Sequence, residues 1–207
     1  MRLIYLHGLD SDSNAIKAQI VSEYCANHAP HIEVIRPDLN RAPDDVVALL
    51  CTLIGENPAD TVLMGSSLGG YFANLLSDDT GVPAVLLNPS IRPDLSFRRF
   101  LNENFAKQFA AGTLADDAVI YTTTGGWQIR FGDLAWLEKH RLQVKNPNKI
   151  KTFLRLGDEL LDAFATQEFY SEKGACVCAL AGGDHRISDF DEHVAQMVAW
   201  ARALAQE

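Results

Sequence analysis

Thr61-Val62-Leu63-Met64-Gly65-Ser66-Ser67-Leu68-Gly69-Gly70-Tyr71-Phe72-Ala73-Asn74-Leu75-Leu76 holds an apolar run, a turn with glycines at 65 and 69, and a second apolar stretch. The order predicts a buried strand, a tight turn and a helix. A residue lifted out of a strand end and dropped at once into a helix takes a strained backbone conformation. Such strain costs on the order of 1–3 kcal/mol and persists only where the surroundings enforce it. The same turn brings strand and helix backbones together, so the positions two before and two after the strained residue must lack a bulky side chain. Gly65 and Gly69 meet that need around Ser67, whereas Ser66 has Met64 and Leu68 at the equivalent positions. Ser67 is therefore the candidate reactive residue and Ser66 the decoy.

Outward from this turn, strand-like and helix-like segments alternate. Residues 3–6, 32–35, 61–64, 84–87, 152–156 and 175–180 read as strands. A first helix is expected to run to about residue 26, capped by Ser11, Asp12 or Ser13, with Ile16, Ile20, Val21 and Tyr24 at helical spacing. Pro43-Asp44-Asp45 opens a second helix, with proline in its first turn and acids that suit the dipole. A third follows Ser67, a fourth spans roughly 159–170, and Val194, Met197, Val198, Trp200, Ala201 and Leu204 mark the last. The alternation predicts an α/β fold, a mainly parallel sheet with helices on both faces.

The alternation weakens over residues 89–149. Structureless loops beyond about 12–15 residues are uncommon in a compact domain, so this stretch is expected to be a small helical cap over the strand ends. Leu95, Phe97, Phe100, Leu101, Phe105 and Phe109 suggest an aromatic-rich helix within it, and some of these phenylalanines are expected to line an acyl pocket. Residues 122–126 read as loop. The chain as a whole, 1–207, is expected to be one domain carrying this insertion.

Composition narrows the function classes. The 207 residues are 47% hydrophobic and carry a formal net charge of −9, with no block of Lys or Arg. That argues against a nucleic-acid groove, which is built on phosphate neutralisation. No run reaches the ~18 apolar residues of a membrane span, and the apolar core of a secretory leader is not expected from residues 1–10. The cysteines at 25, 51, 176 and 178 form no C-x-x-C; Cys176 and Cys178 would share one face of a strand and are expected in the core. Free buried thiols fit a reducing cytoplasm.

Ligands of a parallel sheet gather at the C-terminal strand ends. Those ends carry His7-Gly8-Leu9, Ser67, Asp158 and His185. A serine, then an acid, then a histidine in chain order, with the serine in G-x-S-x-G, is the arrangement of the α/β-hydrolase triad and its nucleophile elbow. His185 would exchange a proton with Ser67, and Asp158 would hold the imidazole tautomer. The backbone N–H groups of Leu9 and Leu68 would form an oxyanion hole. Asp158 lies directly after its strand and is the first choice of acid; Asp162, four residues on, is the second. Glu159 is expected to start the helix, and Asp184 adjoins the histidine. His7 is expected to support geometry rather than react. A metal site from His7, Asp158, Asp184 and His185 has no ligand spacing to recommend it, so no metal is expected.

On these motifs the chain resembles the small YqiA/YcfP-type esterases of the α/β-hydrolase superfamily. The matching segments are Tyr5-Leu6-His7-Gly8-Leu9, Gly65-Ser66-Ser67-Leu68-Gly69-Gly70-Tyr71, Leu87-Asn88-Pro89, Gly157-Asp158-Glu159-Leu160-Leu161-Asp162 and Gly182-Gly183-Asp184-His185. The resemblance implies the α/β-hydrolase fold and hydrolysis of a small-molecule carboxylic ester, or of an acyl thioester, with no cofactor. Acyl transfer by the same triad and an inactive interaction module are the alternatives. Residues 110–149 depart from the resemblance; Tyr121-Thr122-Thr123-Thr124-Gly125-Gly126-Trp127 matches no part of it.

Overall fold

The computed structural model describes residues 1–206, with the backbone alone at 102–104. Six strands form one sheet: β1 (Arg2–Leu6), β2 (Glu33–Ile35), β3 (Thr61–Ser66), β4 (Ala84–Leu87), β7 (Ile150–Arg155) and β8 (Cys176–Leu180). Every pairing among them is parallel, in the order β2-β1-β3-β4-β7-β8. The strand order reverses between β1 and β3, where a doubly wound sheet opens a crevice at its strand ends.

Alternation along the strands sends side chains to two cores. Leu3, Tyr5, Val62, Met64, Val85, Leu87 and Phe153 face α1 (Ile16–His28) and α9 (Phe190–Leu204). Ile4, Leu6, Leu63, Leu86 and Ile150 face α2 (Pro43–Glu56), α3 (Leu68–Thr80) and, through Tyr170, α8 (Ala163–Glu172). The strands buried on both faces are the near-continuous apolar runs expected of a parallel sheet.

Several local expectations change. Helix α1 starts at Ile16 after Ala15, which makes no side-chain cap. Asp12 instead turns back on the Asn14 amide at 2.6 Å, and the Ser11 carbonyl accepts from Asn40. Ile16 is 78% exposed; Ala18, Val21 and Cys25 make the buried face. Cys176 is exposed and Cys178 half-buried, because β8 pairs only with β7 and lies at the sheet edge. Period-2 spacing tells which residues share a face, not whether that face is covered.

The segment after β4 is not purely helical. It contains α4 (Pro93–Ser96), α5 (Arg98–Asn104), α6 (Ala106–Ala110), an antiparallel hairpin of β5 (Val119–Thr122) and β6 (Gln128–Arg130), and α7 (Phe131–Lys139). The aromatic run expected as one helix is thus three short ones, and the glycine-containing loop is a hairpin tip. Phe97 and Phe100 are buried in the core shared with α2 and α3, Phe97 against Trp127 and Phe100 stacked on Tyr121. Phe109 packs edge-on against Phe131 beside a cavity of about 120 Å³, lined also by Asp94, Arg98 and Glu138. Ser67, His185 and Leu9 are not among its walls. The segment is anchored on the main body by Asp78 of α3, whose buried carboxylate accepts from the Gln143, Val144 and Lys145 amides at 2.7–3.0 Å.

Candidate active site

Ser67 occupies the turn between β3 and α3 with φ 55° and ψ −118°, a left-handed conformation uncommon for a residue with a side chain. Its neighbours hold it there. The Ser67 N–H donates to the Leu87 carbonyl at 3.0 Å, extending the β3–β4 ladder. Its carbonyl accepts from Ser90 at 3.0 Å and Tyr71 at 3.1 Å. A side chain at 65 would run into the Gly69 carbonyl, and one at 69 into the Leu6 carbonyl, so the glycine bracket is a steric necessity. Ser66, by contrast, is buried at 5% exposure.

His185 reaches this serine from the loop after β8. Its Nε2 lies 2.9 Å from Ser67 Oγ, and its Nδ1 lies 2.7 Å from Asp158 Oδ2. The partners fix the tautomer: a carboxylate only accepts, so the proton sits on Nδ1 and the Nε2 lone pair faces the hydroxyl. The Asp158 side chain is 2% exposed, and its other oxygen accepts from the Leu160 and Leu161 amides at 2.9 and 2.8 Å. The loops carrying Asp158 and His185 are zipped together by Leu156 N–H to Leu180 O and Gly157 N–H to Gly182 O. A side chain at 157 would strike the Gly183 carbonyl, so only glycine permits this approach.

The other acids stand elsewhere. Asp162 caps α8, accepting from the Ala165 amide at 2.9 Å. Asp184 turns its carboxylate onto the Ser188 amide and hydroxyl, which hold it below the ordinary carboxylate range. Glu159 does not begin a helix; it lies in the loop before α8, and its carboxylate accepts the His185 backbone N–H at 2.9 Å. Among the described residues, no three His, Cys, Asp or Glu side chains stand close enough to hold a metal ion.

At the end of β1, the Leu39 amide donates to His7 Nε2 at 2.8 Å, so the ring proton lies on Nδ1, which donates to Gly8 O at 2.9 Å. Asp38 Oδ1 is 3.3 Å from the same Nε2, but that lone pair is already engaged, and the contact is not an ion pair of a neutral ring. A trans peptide points its C=O and N–H in opposite directions. Pinning Gly8 O therefore turns the Leu9 N–H away from His7. Gly8 packs against the serine; a Cβ there would lie 3.2 Å from Ser67 Cβ. The Leu68 N–H opens α3 and is among the four that a helix leaves without an intrahelical acceptor.

Asn88 stands in Leu87-Asn88-Pro89, where the sequence assigns it no role. It is 2% exposed, with φ 40°. Its Oδ1 accepts from Arg155 N–H at 2.8 Å, and its Nδ2 donates to the carbonyls of Asp184 and His185 at 3.1 and 3.2 Å. One amide thus ties the end of β4 to the end of β7 and to the histidine loop. A polar residue between a buried strand and a proline was the available signal; its partners are distant in sequence.

The parallel doubly wound sheet, with the turn at Ser67 at its strand ends, is an α/β-hydrolase fold. The chain belongs to the uncharacterised protein family UPF0227, whose family model matches residues 2–202, and this is the YqiA/YcfP-type family that the motifs resemble. Among solved structures it is similar to Est1E from Butyrivibrio proteoclasticus, at 15% identity and TM-score 0.72 over 99% of this chain and 87% of that one. It is also similar to alpha/beta hydrolase domain-containing protein 10 from mouse, at 17% identity and TM-score 0.68 over 98% and 90%. The esterase domain of a Rhodothermus marinus protein matches at 17% identity and TM-score 0.66 over 99% and 86%. At these identities the likeness shows the fold.

Proposed function

We propose that this chain is a serine hydrolase of small-molecule carboxylic esters, with Ser67 as nucleophile, His185 as general base and acid, and Asp158 as the orienting acid. The observation that carries the reading is the unbroken chain Ser67 Oγ–His185 Nε2, 2.9 Å, and His185 Nδ1–Asp158 Oδ2, 2.7 Å. Ser67 Oγ forms a bond to the ester carbon as its proton passes to His185 Nε2, and the carbonyl π pair moves onto oxygen. The N–H groups of Leu9 and Leu68 receive that oxyanion; losing one such donor typically costs about 3–4 kcal/mol. The carbon–alkoxy bond then breaks and the leaving alcohol takes the proton from Nε2. Water adds to the acyl-enzyme, giving its proton to Nε2, and the carboxylic acid departs as Ser67 regains a proton. Asp158 stays ionised throughout and stabilises the imidazolium.

The segment 89–149 is read as a cap insertion, supported by its hairpin tip meeting the loops after β1 and β2. A cytoplasmic setting is proposed from the four free cysteines. Among the described residues, no helix is long and apolar enough to cross a membrane. The test is rapid-quench kinetics on a panel of activated esters and thioesters of graded acyl length. The reading expects a burst of one leaving group per folded molecule and an acyl adduct on Ser67. Folded protein giving neither burst nor turnover across the panel contradicts it.

A further inference from the structure

The hairpin tip that matched nothing in the family resemblance closes on the loop beside Leu9. Tyr121 Oη donates to Asp10 Oδ2 at 2.7 Å, and the Thr124 amide donates to Asp10 Oδ1 at 3.1 Å, so both carboxylate oxygens are held by the hairpin. Thr123 Oγ1 donates to Asn40 Oδ1 at 3.0 Å, and Asn40 Nδ2 donates to the Ser11 carbonyl at 2.8 Å. The tip itself is stiff. The Thr123 and Trp127 backbones bond at 2.9 Å, the Trp127 amide also donates to Thr123 Oγ1, and both residues are buried. Tyr121 lies flat on buried Phe100, with ring centroids 4.1 Å apart and planes 8° from parallel. Asp10 is left-handed, with φ 55°, immediately after Leu9.

We infer that the β5–β6 hairpin is part of the positioning machinery of the oxyanion hole, acting through Tyr121, Thr124 and Asp10 on the Leu9 amide. The inference rests on the serine hydrolase reading. His7 fixes the Gly8–Leu9 peptide from one side through the Gly8 carbonyl. The hairpin fixes the next residue from the other. It does a second thing as well. A free carboxylate one residue from an oxyanion donor would oppose the negative charge that develops there. The phenol and the amide hold that carboxylate on the hairpin side and satisfy both its oxygens. Tyr121, Thr124 and Asp10 touch no reacting atom; they are positioning residues.

The experiment compares wild type with Tyr121→Phe, which removes one oxygen from a bond at the surface, and with Asp10→Ala. Three quantities are read: kcat and KM on an ester, affinity for a trifluoromethyl ketone that forms a tetrahedral adduct with the serine, and backbone ¹⁵N order parameters at Leu9 and Asp10. Tyr121→Phe is expected to lower kcat roughly 5–30-fold with KM within about twofold, a pattern of lost transition-state stabilisation. Ketone affinity should fall by the same factor as kcat/KM, and the order parameters at Leu9 and Asp10 should drop. Unchanged kcat and ketone affinity in Tyr121→Phe overturn the inference. So does a loss of thermal stability with full kcat per folded molecule, which is the signature of packing alone. Should Asp10→Ala fail to fold, Tyr121→Phe decides. If wild type neither turns over esters nor binds the ketone, the hydrolase reading fails first. The order parameters then still judge the hairpin's hold on the loop, and unchanged values in Tyr121→Phe overturn it.

Discussion

Asp158 holds His185 by a 2.7 Å contact from Oδ2 to Nδ1, while Asp162, four residues later, spends its carboxylate on the first turn of α8. The two acids share a loop but not a job. Asp158→Asn places an amide where the tautomer is set and should lower turnover by about 10³–10⁴, the scale known for the serine proteases. Asp162→Ala should leave kcat near wild type and lower stability by about 1 kcal/mol, the ordinary cost of a lost N-cap. Steady-state kinetics and urea melts on both variants check this; the reverse ranking at matched stability would assign the orienting role to Asp162.

Asn88 holds His185 by its backbone carbonyl and not by its ring, so its loss is expected to displace the imidazole without removing either partner of the ring. Asn88→Asp keeps the acceptor for Arg155 N–H but turns an oxygen toward the carbonyls of Asp184 and His185. The repulsion should displace the histidine loop and lower kcat roughly 10–100-fold, or about 1.4–2.7 kcal/mol in barrier. Asn88→Gly, which tolerates the positive φ, should lose less. Kinetics at a temperature where circular dichroism shows all forms folded would make the comparison. Full activity in Asn88→Asp would remove this role.

Asp78 should matter for stability alone. Asp78→Ala strips the shared acceptor from three backbone amides, one of them on buried Val144. The expected loss is about 2–3 kcal/mol, with kcat per folded molecule unchanged. A chemical melt showing less than about 0.5 kcal/mol of destabilisation would mean that the 143–145 segment finds other partners.

A pH signature follows from Asp94. Burial by itself would raise this carboxyl, but the two-point contact with Arg92, at 2.8 and 2.9 Å, outweighs it and holds the carboxyl below its ordinary value. A depressed carboxylate contributes stability above its unfolded pKa of about 3.9 and loses it as pH falls through the folded value. Wild type should therefore exceed Asp94→Asn by roughly 1–3 kcal/mol near pH 7. The gap should close progressively below about pH 4. A gap that stays constant down to the acid limit would show that the carboxylate's charge is not what stabilises.

The turn at Ser67 was legible because part of its constraint is local: the backbones at 65 and 69 approach within a few residues, which demands Gly65, while Gly69 answers to the Leu6 carbonyl of the neighbouring strand β1. The approach of Asp158 and His185 was legible in outline, because strand ends of a parallel sheet share one rim. What escaped the sequence depends on contacts between distant segments. Ser11, Asp12 and Ser13 all look like caps, yet Asp12 gives its carboxylate to the Asn14 amide, Asn40 holds the Ser11 backbone carbonyl, and α1 begins later. Residues 119–130 carry strand formers around Gly125-Gly126, a hairpin signal, but the threonine-rich tip reads as loop until its partners Asp10 and Asn40 are in place. Cys176 and Cys178 share a face as expected, on a strand whose edge position no local pattern reveals.

The most direct measurement is peptide-level mass spectrometry of the folded protein after reaction with a fluorophosphonate. The account predicts a single adduct on Ser67, lost in Ser67→Ala. It also predicts that Ser66→Ala labels within about tenfold of the wild-type rate, a barrier change of no more than roughly 1.4 kcal/mol. An adduct on Ser66, or folded wild type that takes up no label, would contradict it.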